Sequence, residues 1–433
     1  MKYYSLNNKS IVVDFKTATI NGQAPDKGLY FPERIPQLNK QWFVDIENKS
    51  NEQIAFDVIQ PYIGNCIPDN LLFEIVSETV NFPIPLQPIT SSISSLELFH
   101  GPTLAFKDVG ARFMSRCLGY FSKEKEQELL ILVATSGDTG AAVANGFYNV
   151  PGVKVLILFP SGKVSSVQEK QLTTLGNNIH ALEVEGSFDD CQALVKQAFF
   201  DKELNKKVFL TSANSINVAR WLPQQFYYFF AYKQLAEKNN PPIIAVPSGN
   251  FGNICAGILA QQSGLPIQHF IAACNANDTV PEFLQTHQYT PKSTVATISN
   301  AMDVSDPSNF VRIQEIFQQN VDAIKSNMSS CSISDVATKA TIKSVYQEHN
   351  YLLDPHGAVG YLALENYLKE HPQQKGIFLE TAHPIKFYNV IEPIIQQTLS
   401  IQDSIKATIN KPSLSKKIQP TYNNLLECIE GLM

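Results

Sequence analysis

From Glu128 onward the chain alternates short, continuously aliphatic or β-branched runs with amphipathic helical stretches, and this alternation narrows the possible folds more than any other feature. Such runs stand at residues 129–135 (LLILVAT), 153–159 (VKVLILF), 179–184 (IHALEV), 207–211 (KVFLT), 243–247 (IIAVP), 269–274 (HFIAAC) and 376–381 (GIFLET). A strand with one wet face alternates apolar and polar residues, whereas a strand covered by helices on both faces has no need to. Several of these runs do not alternate, so they predict βαβ units: an α/β protein with mostly parallel sheets flanked by helices. Before Glu128 the alternation is absent, and GLYFPERIP (residues 28–36) reads as loop-rich.

At 433 residues the chain outgrows a single core, since cores stop growing at roughly 250–300 residues. The expected division is an N-terminal domain at 1–90, a core of two lobes at 91–390 and a helical tail at 391–433. With 44% hydrophobic and 17% charged residues, the chain can bury such cores. Its formal net charge of -6 gives no broad basic surface, so nucleic acid is not expected as a partner. The seven cysteines form no CxxC pair, and an odd, scattered set suits a reducing compartment. The N-terminus lacks the apolar segment of a secretory signal, and no apolar run reaches the length of a membrane helix. A cytoplasmic protein without a membrane partner is therefore expected. The histidines show no zinc spacing, so no metal site is expected either.

Parallel sheets collect ligands at the carboxyl ends of their strands, so the loops that follow strands are where chemistry is sought. SGNFGN (Ser248, Gly249, Asn250, Phe251, Gly252, Asn253) joins a strand to a helix. Glycines there let the backbone curl so that N–H groups line one concavity, and a helix N-terminus favours an anion. The motif matches neither the dinucleotide GxGxxG nor the P-loop, and by itself it reads equally as a tight turn. SGK at 161–163 also fails the P-loop pattern. ATSGDTGAA (134–142) sets Thr135, Ser136, Asp138 and Thr139 at the start of a helix expected over 140–147, which suits a carboxylate. An ordinary helix capped by Ser136 or Asp138 explains it as well. NSINVAR (214–220) offers Ser215, Asn217 and Arg220 to an anion, or places Arg220 in a surface ion pair. Lys107 lies in GPTLAFKDVGARFM, where its apolar neighbours favour the neutral amine that Schiff-base chemistry needs, although most lysines are solvated. The aromatic run FYYFFAY (226–232) reads as core, and no GxSxG nucleophile elbow is present.

Taken in order, LELFHGPTLAFKD (96–108), ATSGDTGAA, SANSIN (212–217), PSGNFGN (247–253), NDTVP (277–281), SNAMDVS (299–305) and TAHPIKF (381–387) resemble the signature blocks of the threonine synthase family, whose fold is the type II architecture of pyridoxal-phosphate enzymes. The resemblance runs from GLYFPERIP to TAHPIKF. HGPTLAFKD is specific to that family, whereas the glycine-rich cradle is shared across fold type II. It implies conversion of O-phospho-L-homoserine and water to L-threonine and phosphate, with pyridoxal 5'-phosphate held as a Schiff base on Lys107. It further implies that Ser248, Gly249, Asn250, Phe251 and Gly252 take the cofactor phosphate and that the Thr381 hydroxyl meets the pyridine nitrogen. Ser215, Asn217 and Arg220 would take the substrate phosphate; Thr135, Ser136, Asp138 and Thr139 would take its carboxylate. Asp138 is expected to orient the loop, because one carboxylate repels another. The rival readings are a lyase that ends the same chemistry in 2-oxobutyrate, a dehydratase, which needs no second phosphate site, and a non-catalytic amino-acid sensor. The chain starts directly in the family's N-terminal domain, so no S-adenosylmethionine effector is expected.

Overall fold

The computed structural model describes residues 1–123, 128–401 and 403–432. Two sheets organise the chain. The larger runs Met328–Ser332, His269–Cys274, Ile243–Pro247, Gly376–Glu380, Ile93–Glu97, Leu86–Pro88, with every neighbouring pair parallel except the last. The smaller runs Lys416–Ile418, Ile179–Val184, Val153–Pro160, Leu129–Ala134, Phe209–Thr211 and is parallel throughout. A third, antiparallel sheet of Val12–Asp14, Lys2–Ser5 and Tyr30–Pro32 lies in the N-terminal region.

The smaller sheet explains why its runs carry no polar alternation. Successive strand residues point to opposite faces. Leu130, Leu132, Leu156 and Leu158 pack into one apolar cluster with Cys191 and Leu194 of the Phe188–Phe200 helix. Ile131, Val133, Val155 and Ile157 join another with Phe113 and Phe147, from helices Lys107–Ser122 and Asp138–Phe147. Both faces are therefore covered.

Several expectations need correction. Sheet formation begins before Glu128: Ile93–Glu97 pairs in parallel with Gly376–Glu380, and Met328–Ser332 closes the far edge. Their sequences, ISSLE and MSSCS, are too rich in serine to stand out. The strand expected at 207–211 shortens to Phe209–Thr211, because Asp201 caps a helix at Lys202–Lys207 by accepting from the N–H groups of Glu203 and Leu204. The tail at 391–433 is not purely helical. Lys416–Ile418 adds a parallel edge strand with Ile418 opposite Val184, and Leu425 and Ile429 of the Tyr422–Glu430 helix are buried in the same cluster. The strand at 376–381 ends at Glu380, which leaves Thr381 in the turn beyond it.

Candidate active site

Lys107 opens the Lys107–Ser122 helix at the end of a loop that is tied down on both sides. Inside the loop, Asp108 accepts from the Thr103 N–H (2.9 Å) and the Thr103 hydroxyl (2.6 Å). Gly101 permits this closure, since a β-carbon there would lie 2.5 Å from Asp108 Oδ2. Leu104 adopts a left-handed φ of 58°, a strained conformation for a branched side chain. Outside the loop, the Phe106 N–H donates to the Thr381 carbonyl (2.9 Å) and the His383 N–H to the Leu104 carbonyl (3.0 Å). Lys107 and Thr381 are thus stapled together from opposite ends of the chain. Loss of solvation lowers the Lys107 amine from its ordinary 10.5 to about 8; Asp138 opposes the shift, while Lys386 and Arg220 add to it.

Above the smaller sheet, the buried Thr135 hydroxyl accepts from the N–H groups of Gly137 (3.0 Å) and Gly140 (2.8 Å). The N-cap position of this helix is therefore Gly137, not Ser136 or Asp138, with Thr135 supplying the acceptor from outside it, and the helix starts at Asp138, two residues earlier than expected. With its lone pairs engaged, the Thr135 hydroxyl keeps a proton to donate. Ser136 and Thr139 are half-buried and have no side-chain partner among the described residues. Asp138 is committed elsewhere. Its Oδ1 lies 2.7 Å from Lys386 Nζ and accepts from Gln168 Nε2 at 2.9 Å, which removes it from the groups open to a substrate carboxylate. Burial alone would raise its pKa, but the charges of Lys386 and Lys107 and these two contacts hold it well below the usual carboxylate range.

The SGNFGN loop leaves the larger sheet at Pro247 and enters the Gly252–Gln262 helix. The N–H groups of Gly249, Asn250, Phe251, Gly252 and Asn253 find no acceptor among the described residues. Asn253 Oδ1 accepts from the hydroxyls of Tyr227 (2.7 Å) and Tyr228 (2.8 Å), while its buried Nδ2 stays unpartnered. The left-handed residue of the turn is Phe251, at φ 59°, not a glycine. Gly249 is needed for space: a β-carbon would lie 2.6 Å from Met302 Cα.

The three residues of NSINVAR expected together at a second anion site part company. Arg220 is only 3% exposed, and its Nη1 donates to the Ala213 carbonyl (2.8 Å). Its Nε has no hydrogen-bond partner among the described residues, and its burial rules out the surface ion pair. Burial lowers its pKa to about 10 against the pull of Asp108. Ser215 joins the cradle instead, its hydroxyl accepting from Asn250 Nδ2 (2.7 Å) and Asn309 Nδ2 (3.2 Å). Asn217 is fully buried with both polar ends occupied: Oδ1 caps a short helix through the Ala219 N–H (2.9 Å), and Nδ2 donates to the Thr19 carbonyl (2.8 Å). These contacts give it a structural role in this fold, with one Nδ2 hydrogen left over.

Sequence reasoning missed three contributors. Lys386 is fully buried, paired to Asp138, and donates to the Thr103 carbonyl at 2.8 Å. Its place between Ile385 and Phe387, inside the TAHPIKF block, was the available signal. Asn309 braces Ser215 and the Asn250 carbonyl. Arg312 stacks 4.3 Å from the Trp221 ring and donates to Asn309 Oδ1 and the carbonyls of Tyr30 and Ile216.

A lysine amine brought toward neutrality and a row of free N–H groups at a strand's carboxyl end fit one kind of partner, an aldehyde that carries a phosphate. Pyridoxal phosphate is that partner, and a pyridoxal-phosphate-dependent enzyme is the class that this fold and site define. Residues 95–379 match the family described as pyridoxal-phosphate dependent enzyme, and residues 2–80 the one described as threonine synthase N terminus. The chain is 45% identical over 434 residues to the threonine synthase of Buchnera aphidicola subsp. Schizaphis graminum, covering 99% of each. The crystal structure of threonine synthase from Escherichia coli is similar with a TM-score of 0.93 at 42% identity, covering 100% of both chains. That of PLP-bound threonine synthase from Brucella melitensis gives 0.94 at 33% identity, covering 100% of this chain and 99% of the other. The chain belongs to the threonine synthase family. Nothing in these relatives favours the lyase that yields 2-oxobutyrate. No helix among the described residues is long and apolar enough to cross a membrane.

Proposed function

We propose that this enzyme converts O-phospho-L-homoserine and water to L-threonine and inorganic phosphate in the cytoplasm, without control by S-adenosylmethionine. The observation that carries the substrate assignment is Arg220: a buried guanidinium with an unspent Nε, near enough to Lys107 to depress its pKa. A buried cation without a carboxylate partner is costly, and a bound anion offsets that cost. The SGNFG cradle accounts for the cofactor phosphate, so Arg220 serves a second one, on the substrate.

Bound pyridoxal phosphate supplies the electron sink that acidifies the substrate carbon next to the amine. The N–H groups of residues 249–253, with Ser215 and Asn309 bracing the loop, would hold its phosphate, and the Thr381 hydroxyl would serve its ring nitrogen. Thr135 donates to the substrate carboxylate alongside Ser136 and Thr139, while Asp138 keeps that loop in place. Lys107, once free, takes the proton from Cα and moves protons at Cβ; its lowered pKa leaves a useful fraction of neutral amine near pH 7 to 8. Arg220 stabilises the phosphate as its bond to carbon breaks.

Arg220→Ala tests this reading. Phosphate release from O-phosphohomoserine should fall roughly thirty-fold to a thousand-fold, the worth of one charge-assisted contact in a desolvated site, with cofactor affinity near wild type. Arg220→Lys should recover only part of the loss. Cofactor loss together with activity would assign Arg220 to the other phosphate, and a 2-oxobutyrate product would replace threonine synthesis with the lyase reaction.

A further inference from the structure

The loop that carries Thr135 and the strand end that carries Thr381 belong to different sheets, and a buried ion pair crosses between them. Lys386 sits in the Pro384–Phe387 turn that follows Gly376–Glu380 of the larger sheet. Asp138 opens the helix that follows Leu129–Ala134 of the smaller sheet. Lys386 is 0% exposed and Asp138 4%. Each partner is fixed by a further contact. Lys386 donates to the Thr103 carbonyl, in the loop that presents Lys107. Asp138 accepts from Gln168, whose Oε1 is held by the Ser165 N–H (3.2 Å) and whose amide fills the space a side chain at Gly137 would need.

No step of the reaction given above uses Lys386, yet burying a lysine with no catalytic duty is expensive. Asp138 supplies the reason. A carboxylate beside the cofactor-bearing amine holds that amine as an ammonium, the form that cannot attack an aldehyde. We propose that Lys386 is a positioning residue that engages the Asp138 carboxylate across the two lobes, setting the Thr135 loop against Lys107 and offsetting the carboxylate's charge at the Lys107 amine. The proposal rests on the reading of Lys107 as the cofactor-bearing residue.

The charges around this amine are few and named. Lys107 faces Asp138, Lys386 and Arg220. Asp138 faces Lys386 and Lys107. Lys386 also faces Asp108 and His383, and Asp108 faces Arg220 and Arg112. Removing Lys386 alone therefore leaves Asp138 to act on Lys107 with only Arg220 opposing it, whereas removing both cancels the change.

The experiment follows capture of pyridoxal phosphate by cofactor-stripped full-length protein, as growth of the visible absorbance band against pH. The neutral amine is the nucleophile, so the rate rises through the Lys107 midpoint. The cofactor's own titration is common to all proteins and drops out of the comparison. Lys386→Met should raise the midpoint by about one pH unit, and Asp138→Asn should lower it. Lys386→Met with Asp138→Asn should return it to wild type, and Lys386→Arg should leave it unmoved. A structural role alone would slow capture without moving the midpoint, and that result overturns the proposal, as does a double variant that stays displaced. If Lys386→Met fails to fold, Asp138→Asn and the double variant still decide it by the same criteria. Phosphate release from O-phosphohomoserine on the wild-type preparation separates the two readings: its absence would refute the substrate assignment and leave the midpoint shifts standing.

Discussion

At Gly249 one missing carbon decides whether the cradle can form. A β-carbon would meet the backbone of Met302 at 2.6 Å, and backbone cannot swing aside as a side chain can. Gly249→Ala should therefore displace the loop and weaken pyridoxal-phosphate binding at least about ten-fold in an equilibrium titration; unchanged affinity would place the phosphate elsewhere. At Lys107 the titration runs as in any lysine but at a lower pH. Its pKa is lowered to about 8, so the neutral, nucleophilic form dominates above that pH and the ammonium below it. Cofactor capture by the wild-type chain should accordingly be slow at pH 6.5 and rise to a plateau above pH 9, when followed by absorbance. The glycines and hydroxyls of these loops could be read in sequence because their chemistry is local. Lys386 could not, because a lysine's burial depends on what the other sheet brings to it. Phe251 escaped too: a left-handed backbone at a phenylalanine is imposed by the strand-to-helix turn and runs against the residue's own preference.

Strands written as continuous aliphatic runs were legible as elements, since covering both faces of a parallel sheet demands that composition. Those held by pairing were not. Lys416–Ile418 carries a single apolar residue, Ile418, which is 6% exposed and packs with Val184, Leu425 and Ile429. Ile418→Ala should cost about 2 kcal/mol, at the low end for a large aliphatic truncation because the strand lies on an edge. The measurement is a denaturant melt, and cofactor affinity should stay at its wild-type value, because this edge contributes nothing to the cradle or the Lys107 loop. A parallel loss of affinity would mean that the tail supports the site directly.

Across the whole molecule, the N-terminal region reaches the catalytic lobes through backbone carbonyls. Thr19 receives Asn217 Nδ2, and Tyr30 receives Arg312 Nη2. Asn217→Ala should lose both a helix cap and this link, destabilising the protein by about 2 kcal/mol. The Michaelis constant for O-phosphohomoserine should not change, whereas a rise with stability intact would return Asn217 to the substrate phosphate. The sequence motif grouped Asn217 with Arg220 by proximity along the chain, but a short helix turns neighbouring residues in different directions, and only the packed fold separates their roles. The staple between the Phe106 N–H and the Thr381 carbonyl joins residues 275 positions apart. A ribosome adding roughly 5–20 residues per second finishes Lys107 tens of seconds before it reaches Thr381. A fragment that stops short of Thr381 therefore lacks this staple, and the loop that presents Lys107 is held on both sides only once the far end of the larger sheet has been made.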